Sequence, residues 1–227
     1  MRLRLPEESP KEPPTGFKIA HPVLRADGGR AGFLGVSLGA AAPYGVLDHA
    51  RCVYGRRHRV PHRRCDCGFH CVHERSTAEG LLVLAEHRKA VLLEVTVLGA
   101  YIRFERGFRY SRQRVRAMTV GPCPCGAAAS VLADAGWGRD GQRALEAACG
   151  SCVGGRARWT LRTFAERAGQ GLKVTAAPGA QAAADLPGMP ELVAEAALLQ
   201  ARLDWFQGQL GRLGETGGGG GGPTPRT

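Results

Sequence analysis

Residues 91–120 decide the fold, and they read VLLEVTVLGAYIRFERGFRYSRQRVRAMTV. Within them, residues 91–98 and 101–105 are rich in β-branched and aromatic side chains, which favour strands. Gly107 then breaks the run before residues 112–120, where polar and apolar side chains alternate. We therefore predict a β-meander of three strands.

Shorter elements are predicted on both sides of this meander. Residues 17–24 and 32–38 have the pattern of a β-hairpin, with turn-forming residues between them. The sequence STAE at 76–79 matches a capping box and predicts a helix over 77–88. Another helix is predicted at 158–167. Together these elements indicate a small α+β protein.

An apolar stripe near the C-terminus predicts an amphipathic helix over 190–213. Its members recur at alternating spacings of four and three residues, as in a coiled-coil seam. They are Leu192, Ala196, Leu199, Leu203, Phe206, Leu210 and Leu213. Such a stripe packs on its own domain, or it forms a homodimer or docks on a partner helix. Both alternatives stay open.

Composition divides the chain into segments. The two ends lack the apolar surface that would offset the entropy of ordering. We expect a disordered tail at 1–16, a first metal loop with helix and β-meander at 17–120, a zinc-ribbon-like module at 121–168, a linker at 169–188, the amphipathic helix at 189–214, and a Gly-rich disordered tail at 215–227.

The chain contains 8 cysteines among 227 residues. No stretch of about 18 to 20 apolar residues is free of charges and helix breakers, so neither a spanning helix nor a membrane partner is expected. A signal peptide is not indicated either, and we expect a cytoplasmic protein. Thiols stay reduced there, which favours metal ligation over disulfides.

Two cysteine pairs form the stronger metal motif, with CPC at 123–125 and CGSC at 149–152. Zinc takes four tetrahedral ligands, and two short turns can each bring two thiolates to one point. The candidate ligands are Cys123, Cys125, Cys149 and Cys152. The pattern resembles a zinc ribbon, although the first knuckle has C-x-C where C-x-x-C is usual. An iron–sulfur cluster, a redox pair or free thiols are the alternatives.

A second group of metal-binding residue types lies between residues 52 and 73. Its members are Cys52, His58, His62, Cys65, Cys67, His70, Cys71 and His73. One zinc ion needs four of these eight residues. The alternative is a basic loop whose histidines are simply solvated.

Part of this region resembles a group of small, uncharacterised bacterial proteins. Their pattern, C…HxxPxxxCxCG, is matched by Cys52, His58, Pro61, Cys65 and Cys67, and the resemblance extends into LGAYIRFERGFR at 98–109. It covers roughly a quarter of the chain. The resemblance implies a Cys3His zinc site made of Cys52, His58, Cys65 and Cys67, with His62 as the alternative to His58. With the zinc-ribbon-like motif, two zinc ions per chain are expected.

Positive charge points to an acidic partner. The chain has 31 basic and 20 acidic residues, a net charge of +11, which favours nucleic acid, an anionic membrane face or an acidic protein. One basic run spans 51–64, and a second at 103–116 interleaves arginines with aromatic residues. The candidate nucleic-acid contacts in the second run are Arg103, Arg109, Arg112, Arg114, Arg116, Phe108 and Tyr110.

Two interpretations of the second run are possible. In an extended strand, Arg112, Arg114 and Arg116 share one face and can follow a phosphate backbone, while exposed aromatic rings stack on bases. The alternative is that the aromatic side chains belong to the core and the arginines form a solvated outer face.

The sequence lacks the common catalytic motifs. H-E-x-x-H, G-x-S-x-G and G-x-x-x-x-G-K-[ST] do not occur, and the zinc-deaminase signature is not met. We therefore expect a non-catalytic, zinc-stabilised binding module for nucleic acid or a nucleoprotein complex. The first alternative is a protein–protein adaptor that acts through the helix at 190–213. A zinc-dependent hydrolase or deaminase is the second.

Overall fold

The computed structural model describes residues 12–36, 42–139, 141–179 and 200. Residues 12–179 of this set belong to one compact unit, Met1–Ala182. The amphipathic helix predicted at 189–214 lies outside the described residues except for Gln200. So do the tail at 215–227, most of the tail at 1–16, and the linker beyond residue 179.

The described chain is mainly β-structure. Its strands are β1 (Thr15–Arg25), β2 (Ala31–Gly35), β3 (Leu47–His49), β4 (Phe69–Val72), β5 (Val91–Phe104), β6 (Gly107–Val120), β7 (Val131–Asp134), β8 (Gln142–Ala148), β9 (Arg158–Thr160) and β10 (Lys173–Ala176). Its helices are α1 (Arg75–Leu82) and α2 (Leu161–Ala168), with a 3₁₀ turn at Ala85–His87. The predicted α+β class is confirmed. Among the described residues, no helix is long and apolar enough to cross a membrane.

The β5–β6 hairpin organises the sheet. It runs antiparallel from the pair Leu92–Thr119 to the pair Phe104–Gly107 at its tip. The segments 91–98 and 101–105, predicted as two strands, form the single strand β5. They do so because a bulge after residue 98, with Gly99 at a φ of +69°, lets the ladder continue.

β1 and β4 close this hairpin into a ring of strands. β1 pairs with β5 along residues 15–20 and with β4 at Phe17, and β4 pairs in turn with β6. Gly107 is needed at this closure, because a Cβ there would lie 2.0 Å from the carbonyl oxygen of Cys71. Phe33 on β2 and Val115 on β6 belong to the same buried apolar cluster, and neither has any exposed surface.

The remaining strands extend the sheet from strands of this ring, mainly from β1 and β6. β1 and β2 form the predicted N-terminal hairpin, and β3 pairs with β6. β7, β8 and β9 form a three-stranded antiparallel sheet, in which β8 also pairs with β1. Residues 121–168, predicted as a separate module, therefore share a sheet with residues 17–120. β10 lies within the predicted linker at 169–188 and pairs parallel with β6, which supplies the hydrogen bonds that so short a strand needs.

The helices differ from the prediction at their starts. α1 begins at Arg75, and its N-cap residue Glu74 makes no side-chain capping bond, so the capping box predicted at 76–79 is not formed. The helix predicted at 158–167 begins later, because residues 158–160 pair with β7 as β9. The hydroxyl of Thr160 then caps α2 by accepting a hydrogen bond from the amide of Thr163 at 3.0 Å.

Candidate metal centres and basic surface

The structure brings Cys52, His58, Cys65 and Cys67 together in the irregular segment between β3 and β4. The ligand atoms of this first cluster all lie within 4.8 Å of one another. Cys52 Sγ is 3.8 Å from Cys65 Sγ, and Cys67 Sγ is 3.8 Å from His58 Nε2. Zinc at about 2.3 Å from each sulfur sets tetrahedral thiolates about 3.8 Å apart. The geometry of the cluster fits one zinc ion.

His58 presents one ring nitrogen to this cluster. Its Nδ1 lies 3.0 Å from the carbonyl oxygen of Arg59, so an N–H there donates to the backbone and leaves Nε2 as the ligand atom. His62 lies beside it, with the ring centroids 4.7 Å apart, but outside the cluster. The cluster thus contains the histidine that the resemblance implies.

The other candidate ligands of this region lie apart from the cluster. Cys71 is on β4, where it is 6% exposed and packs in the core. His73 places Nε2 3.0 Å from the carbonyl oxygen of Phe104, and His70 is exposed on β4. Cys71 is therefore the one cysteine of the chain that belongs to neither cluster.

Cys123, Cys125, Cys149 and Cys152 form the second cluster, and their sulfur atoms also lie within 4.8 Å of one another. The sulfurs of Cys125 and Cys149 are 3.6 Å apart, far beyond the length of a disulfide, about 2.05 Å. Each pair sits in a tight turn: the Gly126 amide donates to the Cys123 carbonyl, and the Cys152 amide donates to the Cys149 carbonyl. The two clusters can hold two zinc ions, as the sequence predicts.

The pKa values of the cysteines in the second cluster diverge. Hydrogen bonds from the backbone of Cys152 and from the Cys125 thiol lower the pKa of Cys149 to about 6. The pKa of Cys152 is raised to about 12, first through its hydrogen bond with Cys125. A zinc ion binds thiolates and so replaces the protons that these sulfurs share.

The first cluster shows the same divergence. Burial raises the pKa of Cys67 to about 11. Burial also raises the pKa of Cys52, but hydrogen bonds from the backbone of Arg56 and Tyr54 outweigh it and lower the pKa to about 7. The Arg59 carbonyl raises the pKa of His58. Metal binding in this cluster at neutral pH therefore displaces protons.

A buried arginine holds the first cluster against the β5–β6 hairpin. Arg109 on β6 is 6% exposed, and its Nη1 donates to the Cys65 carbonyl at 2.7 Å. Its Nη2 donates to the His62 carbonyl at 3.2 Å, and the guanidinium carbon lies 5.5 Å from the centre of the Phe104 ring. Arg109 was predicted to contact nucleic acid, whereas its guanidinium is buried and donates from Nη1 and Nη2 inside the protein. Arg109 is a positioning residue for residues 50–68, the segment between β3 and β4 that carries the first cluster and is called the metal segment below.

This role predicts that Arg109→Met weakens zinc binding at the first cluster by about tenfold, as loss of an outer-shell partner does elsewhere. Competition with a chromophoric chelator measures the zinc affinity of each of the two sites. Arg106→Met, at the exposed tip of the same hairpin, is the control, and it should leave both affinities unchanged. Equal zinc affinities in the two variants would show that Arg109 does not support the site.

Two aromatic residues predicted to contact nucleic acid are buried. Phe108 is 7% exposed and packs edge-to-face on the rings of Tyr101 and His73. Tyr110 is 0% exposed, and its hydroxyl donates to Gln113 Oε1 at 2.9 Å. Their rings are core side chains, so they are not available to stack on bases.

The arginine row of β6 lies on the outer side of the strand. Arg114 and Arg116 are exposed and Arg112 is half-buried, whereas Gln113 and Val115 between them are fully buried. The alternation expected for an extended strand is therefore present from residue 112 to residue 116. Two of the three guanidinium groups face solvent.

The arginines of the first basic run surround the first cluster. All of them are exposed: Arg51, Arg56, Arg57, Arg59, Arg63 and Arg64. Residues 51–64 contain no acidic side chain, and these arginines form no ion pair within the part of the chain that the structure describes. Asp66, the next acidic residue, faces Arg109 at 3.5 Å. Residues 51–64 thus present six exposed positive charges and no acidic side chain.

Similarity to other proteins does not identify the chain, because no protein-family model, no curated protein and no solved structure matches it. Its function is therefore argued from the two clusters and the surface around the first of them.

Proposed function

We propose that the protein is a non-catalytic, zinc-stabilised binding module for nucleic acid or a nucleoprotein complex. The observation that carries this proposal is the metal segment, where one cluster holds an irregular loop that exposes six arginines and no acidic residue over 51–64. Guanidinium groups bind phosphate through paired hydrogen bonds, and a patch of them attracts a polyanion.

The proximity of the two basic runs in the fold supports the proposal. Arg109 ties the metal segment to the β5–β6 hairpin, whose end exposes Arg103 and Arg106. At the other side, Arg112 pairs in register with His49, two residues before Arg51. The two basic runs, separate in the sequence, adjoin one another in the structure.

The ligand sets support a structural role for the metal. Each cluster offers four protein side chains, which is the full tetrahedral set that structural zinc takes. Catalytic zinc keeps a position for water or substrate, with three protein ligands. The proposed metal ions therefore stabilise the loops that carry the binding surface.

Salt dependence tests the proposal. Each lost phosphate contact flattens the slope of log affinity against log salt by roughly 0.7 for single strands or 0.9 for duplex. Replacing Arg112, Arg114 and Arg116 by Gln should therefore flatten the slope by about 1.4 to 1.8, because two of the three guanidinium groups face solvent, measured by fluorescence anisotropy between about 50 and 200 mM salt. The variant should stay folded, because the buried neighbours Gln113 and Val115 are unchanged.

A wild-type protein that binds no oligonucleotide at low salt would overturn the proposal. An unchanged slope in the triple variant would show that the arginines of β6 do not contact the nucleic acid. The adaptor function through the helix predicted at 190–213 would then be the next hypothesis to test.

A further inference from the structure

Tyr54 is an exposed aromatic side chain within the metal segment. It lies two residues after the ligand Cys52, and 58% of its surface is exposed. The guanidinium carbon of Arg56 lies 5.7 Å from the centre of its ring, close enough for a cation–π contact. Tyr54 was not among the predicted nucleic-acid contacts. Its signal was an aromatic residue in a polar loop that has no periodic pattern.

Phe104 is the second exposed ring of this region. It ends β5 at the hairpin tip and is 49% exposed. Arg109 lies against its ring and donates to the carbonyls of Cys65 and His62. The Arg109 guanidinium therefore contacts both the Phe104 ring and the backbone of the segment that carries Tyr54.

The exposure of these two rings is unusual for this protein. Most of its described aromatic rings are buried or half-buried, and the large exposed ones are Tyr54, Phe104 and Trp137. Two of the three therefore belong to the surface around the first cluster. Tyr54 lies within the run of six exposed arginines at 51–64, and Phe104 lies between the exposed Arg103 and Arg106, with the exposed Glu105 in the same turn.

From this arrangement we infer that the first cluster presents a binding surface for single-stranded nucleic acid, on which bases stack on Tyr54 and Phe104. The inference rests on the proposed function and narrows it. In a single strand the faces of the bases are open to stacking, whereas in a duplex they are covered by neighbouring base pairs. Arginines beside such rings contact the phosphates, so binding combines stacking with a strong salt dependence.

The test compares labelled oligothymidylate and oligouridylate with a duplex of the same length, by fluorescence anisotropy. Wild type should bind the single strands more tightly than the duplex. Tyr54→Ala and Phe104→Ala should each weaken single-strand binding by about tenfold. The salt slope should not change in these two variants, because no charge is removed.

Three further variants make the test specific. Tyr54→Trp should keep the wild-type affinity, because it restores a stacking ring. Val53→Ala removes a neighbouring side chain that is 53% exposed, and it should change nothing. Replacing Arg56, Arg57 and Arg59 by Gln should flatten the salt slope by about 2. Zinc content is measured for every variant, so that a lost metal is not mistaken for a lost stacking contact.

The outcomes separate this inference from the proposed function. Salt-dependent binding with equal affinity for single strand and duplex would overturn the inference and leave the proposed function standing. The same holds if both alanine variants bind single strands as wild type does. If polyglutamate competes as effectively as the oligonucleotide, the surface binds acidic polypeptides and the inference fails. Absence of any oligonucleotide binding would overturn both.

Discussion

Protein purified without a chelator is expected to contain two zinc ions per chain, one in each cluster. The reason is the donor set, since four sulfur or imidazole ligand atoms within 4.8 Å of one another match tetrahedral zinc. Elemental analysis by mass spectrometry gives the stoichiometry, and reaction with a thiol reagent gives the number of free cysteines. The native protein should show no fast-reacting thiol, because seven cysteines are ligands and Cys71 is buried.

The thiols are then counted again after zinc has been removed with a chelator. The backbone–backbone hydrogen bonds described within residues 51–68 are local, such as those from Gly55 to Cys52 and from Cys65 to His62, and Arg109 adds two from its side chain. Removing zinc should therefore unfold this segment and release the seven ligand thiols, because the free energy of metal binding is here free energy of folding, while Cys71 stays buried in the core. One zinc ion or fewer, with eight thiols that react freely from the start, would contradict the assignment. Iron with visible absorption would favour the iron–sulfur alternative at the second cluster.

Cys149→Ser should lower the melting temperature far more than Cys71→Ala does. Cys149 is a ligand of the second cluster and directly follows β8, which pairs with both β7 and β1. Loss of this ligand removes metal-binding free energy from the sheet, and we expect a decrease of more than about 10 °C. Cys71→Ala removes one buried sulfur at a cost of about 1 kcal/mol, or about 2 to 4 °C.

Differential scanning calorimetry and zinc analysis of both variants check this expectation. Cys149→Ser should retain one zinc ion, in the first cluster, and Cys71→Ala should retain two. Equal decreases in melting temperature would show that Cys149 is not a ligand. Loss of one zinc ion from Cys71→Ala, with the second cluster still occupied, would show that Cys71 supports the first cluster.

The metal sites were largely predictable from the sequence, because several of the ligands are separated by only one or two residues along the chain. In CPC and CGSC, two thiols separated by one or two residues must lie in the same turn, whatever the rest of the chain does. The same holds for Cys65 and Cys67. The choice of His58 over His62 was harder, because both fall within reach of the same turn. It depends on the hydrogen bond from the His58 ring to the Arg59 carbonyl.

The strands were predictable where an alternating or β-branched pattern is long enough to see, as at 17–24 and 112–120. Their partners were not, because a strand pattern states which face is apolar and does not state which strand lies beside it. The pairing of β8 with β1 joins residues that are more than a hundred positions apart. β10 has only four residues and gains its order from β6.

The role of each arginine was decided by tertiary structure alone. The sequence by itself determined a basic run at 103–116 and an alternating strand at 112–120, and the alternation holds from Arg112 to Arg116, where the outer face of β6 is open to solvent. Residues 107–110 are buried without alternation, because the core covers one face and the metal segment covers the other. An alternating sequence pattern predicts that successive side chains of a strand point to a buried face and an exposed face in turn. It does not predict that a distant loop covers the second face. For this reason only the tertiary structure showed that Arg109 is buried beneath the metal segment and that Tyr54 and Phe104 are exposed.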